Sequence, residues 1–129
     1  MIPGKVLTVL FGGTFILVGL LGFIPNPIVA PDGLFAVNAM HNLVHVLTGV
    51  AFLAGGFLGY GRRTIMGIGV AYVAVTILGF LTTGDMLLGV IHINAADRWL
   101  HAMLALVILL AGFVASHDRT TSASKAVTG

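Results

Sequence analysis

Residues 37–59 read VNAMHNLVHVLTGVAFLAGGFLG, an uninterrupted run without Lys, Arg, Asp or Glu. A spanning helix needs about 20 such residues to cross about 30 Å of hydrocarbon, so this stretch predicts a transmembrane helix. Three further runs have the same character: Val6 to Ile24, Thr64 to Thr83 and Trp99 to Ala115. Continuous apolar runs, rather than short alternating ones, argue for helices and against spanning strands. The expectation is an all-α integral membrane four-helix bundle with up-down-up-down topology. Its transmembrane domain covers residues 1–115, and residues 116–129 form a polar cytoplasmic tail.

Composition agrees. Charged residues make up 8% of the 129 residues and hydrophobic ones 58%, whereas soluble domains carry about 25% charged residues. A soluble enzyme, a nucleic-acid binder and a disordered chain are excluded on these grounds. The chain has no Cys, which removes disulfides, thiolate metal sites and Cys nucleophiles. The first apolar run is too long for the core of a signal peptide, and Pro31 after Ala30 is poor for cleavage.

The connections are short. Pro25, Pro27 and Pro31 stiffen the first, where Asp32 is placed to cap the second helix. Gly61-Arg62-Arg63 marks a tight hairpin, and the third connection, from Gly84 to Asn94, is apolar and expected to tuck over the bundle. Asn94 caps the fourth helix, with Asp97 in its first turn. Lys5, Arg62, Arg63, Arg119 and Lys125 fall on one side and only Arg98 on the other, so both termini are expected to be cytoplasmic. The setting is then a bacterial cytoplasmic (inner) membrane.

Two features of the second helix call for explanation. Ala51, Gly55 and Gly59 recur every four residues, a small-residue face for close helix contact within the bundle or with a second protein. No repeat stands out well enough to argue an internal duplication. Asn38, His41, Asn42 and His45 share one helical face, and the fourth helix answers with Asn94, Asp97 and His101. Polar groups in lipid gather on one face only where protein covers it, so His41, His45, Asp97 and His101 are expected to converge near the extracytoplasmic surface.

Three uses of this cluster follow from its chemistry. Asn38, Asn42, Asn94 and Asp97 can tie the His rings into a closed hydrogen-bond network. Alternatively His41, His45 and His101 can ligate a transition metal, with Asp97 as a fourth ligand or an orienting group. His41 and His101 can instead hold a haem b, or one His a pigment, with Arg98 near the propionates. A proton relay is the third use, but the inner halves of the helices offer little beyond Tyr72 and Thr76 to continue it.

The strings His41-Asn42-Leu43-Val44-His45 and Asn94-Ala95-Ala96-Asp97-Arg98-Trp99-Leu100-His101 resemble a family of small four-helix bacterial membrane proteins. That family is known as a domain of unknown function and is frequent in actinobacteria. The resemblance covers the chain to about Ala115 and implies the four-helix membrane fold, without supplying an activity. With no nucleophile, no soluble domain and minimal loops, the chain reads as non-catalytic. The leading expectation is an accessory or structural subunit that contacts lipid and other membrane proteins. The alternative is a haem-, metal- or pigment-binding membrane protein built on the His cluster.

Overall fold

A computed structural model describes residues 1–118. Its elements are α1 (Gly4–Leu21), β1 (Val29–Ala30), β2 (Phe35–Ala36), α2 (Ala39–Phe57), α3 (Gly61–Leu81), β3 (Met86–Leu87), β4 (Ile91–His92) and α4 (Ala95–Val114). Each helix is long and apolar enough to cross a bilayer. Leu10, Leu17, Leu47, Val70, Leu106 and Leu110 project from their outer faces and meet lipid rather than water.

The helices run up, down, up, down, and the two ends of the bundle are closed differently. At one end Ile2 pairs with Ala115: the Ile2 N–H donates to the Val114 carbonyl at 3.0 Å and the Ser116 N–H to the Ile2 carbonyl at 2.8 Å. The start of α1 and the end of α4 therefore share one side of the bundle. At the other end lie two short strand pairs, parallel β1–β2 and antiparallel β3–β4.

The first connection is organised by Asn26 rather than by its prolines alone. Its side-chain nitrogen donates to the carbonyls of Leu21, Ile24 and Val29, and its oxygen accepts from Ile28 and Val29. Asp32 does not cap α2. That role falls to Asn38, whose side-chain oxygen accepts the His41 N–H at 2.9 Å. Asn94 caps α4 in a reciprocal box with Asp97, as the sequence leads one to expect.

α3 has no cap of its own, because Tyr60 supplies none. Asp118 does it from the far end of the chain, accepting the N–H groups of Arg62 at 2.8 Å and Arg63 at 3.1 Å. A carboxylate there also faces the positive end of the helix dipole. The start of the expected tail is thus docked. Arg119, Lys125 and the remainder lie outside the described residues.

Superimposed on this order is a duplication not evident in the sequence. The buried residues of α2 and α4 correspond at a separation of 56: His41 with Asp97, His45 with His101, Gly49 with Ala105, Phe52 with Ile108, Gly56 with Gly112. Those of α1 and α3 correspond at 57: Gly4 with Gly61, Thr8 with Ile65, Gly12 with Gly69, Phe15 with Tyr72. Cross-bonds follow the same relation. Asn38 donates to the Val90 carbonyl at 2.9 Å, and Asn94 to that of Leu34 at 3.0 Å. Two helical hairpins are therefore related by an approximate two-fold axis running along the helices.

Close packing uses glycines other than those expected. A methyl group at Gly49 would lie 2.6 Å from the Gly12 carbonyl oxygen, and one at Gly12 2.9 Å from the Gly49 oxygen. The backbones of α1 and α2 are in contact there, which only glycine allows. Of the expected trio, Gly55 does abut Thr64 of α3. Ala51, however, is exposed on the outer face, and Gly59 lies beyond the helix in a turn with φ +87°. The physical reason is rotation: four residues exceed one turn of 3.6, so a strict every-fourth pattern drifts around the helix. The true seam on α2 is Gly49, Phe52 and Gly56. Around it Phe15, Phe52, Ile65, Tyr72 and Ile108 form the core.

Candidate functional site

The axis passes between three buried imidazoles. The α2 cap at Asn38 sets the register in which His41 and His45, one turn apart, both face inward, and the α4 box does the same for His101. Ring centres are 4.6 Å apart for His41 and His45, 5.7 Å for His41 and His101, and 6.2 Å for His45 and His101. One ring nitrogen from each lies within 4.8 Å of those of the other two. Phe15 and Tyr72, symmetry mates in α1 and α3, floor the cluster: Phe15 meets His45 at 5.8 Å, Tyr72 meets His101 at 5.9 Å, and they meet each other at 5.5 Å.

The state of His41 follows from one contact. Its Nδ1 lies 2.7 Å from the His92 carbonyl oxygen. A carbonyl only accepts, so Nδ1 carries the proton and Nε2 keeps a free lone pair. That Nε2 is buried without a hydrogen-bond partner, and so are both ring nitrogens of His45.

The expected closed network does not form, because its other members are engaged elsewhere. The Asn38 and Asn94 side chains cap helices and reach across to Val90 and Leu34. Asn42 is buried against Gly22 at the end of α1, with its side-chain oxygen unpartnered. The Asp97 carboxylate, 2% exposed, accepts the Asn94 N–H at 2.9 Å and lines the same cavity as His45 without joining the three-nitrogen set. Arg98, considered for propionates, instead donates to the carbonyls of Gly79, Thr82 and Gly84 at the C-terminal end of α3. Thr76 bonds the Tyr72 carbonyl, and the Tyr72 hydroxyl donates to Thr48 at 3.4 Å.

Sequence reasoning missed the Phe15–Tyr72 floor and the His92 carbonyl. The first carried a signal, the aromatic pair at corresponding places in α1 and α3. The second carried none, since any residue has a carbonyl. A cavity of 280 Å³ adjoins the cluster, lined by Thr14, Phe15, Val18, Leu100, Leu104 and His45 among others.

The fold and the cluster together define a small four-helix multi-pass membrane protein with a buried histidine centre. The chain belongs to the family described as a domain of unknown function (DUF4383), which it matches over residues 5–114. No curated protein and no solved structure matches it.

Proposed function

We propose that this protein holds one transition-metal ion at His41, His45 and His101. The observation that carries the reading is the His41–His92 bond: a metal-ligating imidazole characteristically donates its other N–H to a carbonyl or carboxylate, which fixes the tautomer and aims the lone pair. The His41 Nε2 is buried without a partner, and a ring nitrogen of His41 lies within 4.8 Å of one from each of the other two histidines. Metal–nitrogen bonds of about 2.0–2.1 Å put ligand nitrogens about 3.3–3.6 Å apart, so small ring movements within the cluster suffice. A haem or a pigment fits poorly, because Phe15 and Tyr72 pack where a macrocycle would extend.

A non-catalytic role is favoured because no Ser or Cys adjoins the cluster among the described residues. A subunit that stores or presents its ion to a larger assembly agrees with this. Of the small residues considered for a docking partner, Gly55 is used inside the bundle against Thr64, while Ala51 is exposed on the outer face. Purified protein with the chelator removed should take up one ion per chain. His41→Ala and His101→Ala should each abolish uptake, whereas His117→Ala, in the segment after α4, should not. Absence of uptake by the parent would refute the reading.

The Lys and Arg distribution supports a cytoplasmic position for the end at which Ile2 and Ala115 pair, with the histidines toward the opposite surface. A phosphatase reporter fused after Gly129 should accordingly be inactive, and activity there would reverse the orientation.

A further inference from the structure

Resting on that reading, we infer that the centre selects a monovalent soft ion, copper(I), over the divalent ions of the same series. Three features of the cluster lead there. The first is ligand count. Three ring nitrogens converge and the nearest acidic group, Asp97, is not among them. Its carboxylate is held in the α4 capping box. Zinc(II) and copper(I) are both d¹⁰ ions without a ligand-field demand, but zinc held by three protein ligands completes its shell with a water or hydroxide, whereas copper(I) is stable with two or three ligands.

The second feature is the lack of polar surroundings to complete a shell. His41 is 2% exposed, His45 and His101 6% each. Phe15 and Tyr72 close one side with their rings. Valine and leucine side chains dominate the adjoining cavity wall. A divalent ion would have to bring its own water or hydroxide into this space, where Thr14 and Asp97 are the polar side chains on the wall beside His45 and the Asp97 carboxylate is already held in the α4 capping box.

The third feature is charge. Three neutral imidazoles contribute none, and the one carboxylate at this level is that of Asp97. The Arg98 guanidinium is turned to the carbonyls at the end of α3, whose helix dipole it offsets. A monovalent ion with Asp97 leaves the centre neutral, whereas a divalent ion leaves it positive. The cost of burying charge in a low-dielectric medium rises with the square of the charge, so within a lipid span this difference favours the monovalent state.

The test uses the full chain in detergent under anaerobic conditions. Copper(I) is titrated in competition with bathocuproine disulfonate, and zinc(II) and cobalt(II) are titrated separately. X-ray absorption at the copper edge reads the coordination number. The expected result is one copper(I) per chain, bound at least 100-fold more tightly than zinc(II), with three nitrogen neighbours and no oxygen. His45→Ala should remove one nitrogen neighbour and weaken binding at least 100-fold. Zinc(II) or cobalt(II) bound as tightly as copper(I), or a copper(I) centre with a fourth oxygen ligand, would overturn this inference while leaving the metal centre itself in place. Failure of all three ions to bind would overturn both.

Discussion

His45→Leu should make the metal-free protein more stable and the metal-loaded protein less stable. In the metal-free chain both ring nitrogens of His45 are buried without partners. Leaving a buried polar group unsatisfied costs about 1–3 kcal/mol, and an apolar side chain of similar size avoids that cost. In chelator, therefore, the variant should unfold about 1–3 kcal/mol later than the parent. At a free metal concentration 1,000 times the dissociation constant the parent gains about 4.1 kcal/mol, which the variant largely forgoes. Thermal or denaturant unfolding in detergent, with and without metal, reads both arms. A variant less stable than the parent in chelator would mean that the ring is satisfied by something else, and the centre would then be structural.

Gly49→Val should be the most damaging change outside the histidines. Its first added carbon would approach the Gly12 carbonyl oxygen to 2.6 Å, and Ile16 lies beside it as well. The α1 and α2 backbones must then separate, at a cost of about 3 kcal/mol, the upper end of the usual range for overpacking. Ala51→Val, on the same helix but facing outward, should change stability by no more than about 0.5 kcal/mol. Equal behaviour of the two variants would place the helix contact elsewhere.

The four spans were legible because hydrocarbon imposes length and apolarity on each run independently of its neighbours. The α4 capping box was equally legible, since Asn94 and Asp97 satisfy each other within one turn. The convergence of His41, His45 and His101 could be anticipated from the cost of exposing them to lipid. Their surroundings could not. The partner that orients His41 is a backbone carbonyl 51 residues away, and side-chain identity does not encode it. Arg98 read as a ligand-facing charge, but the open carbonyls at the end of α3 were nearer. The duplication stayed hidden because lipid-facing positions accept any large apolar residue and several inward pairs, such as His41 with Asp97 and Phe52 with Ile108, differ in residue type.

The cross-bonds between the two halves bear on biogenesis. Asn38 needs the carbonyl of Val90, His41 needs that of His92, and the third imidazole arrives with His101. A ribosome delivers α1 and α2 to the membrane long before any of these exists. During that interval His41 and His45 sit near the bilayer surface with water or the insertion machinery as their partners. The three-imidazole centre is thus assembled only once α4 has docked, and a product ending before His101 presents two of its three rings.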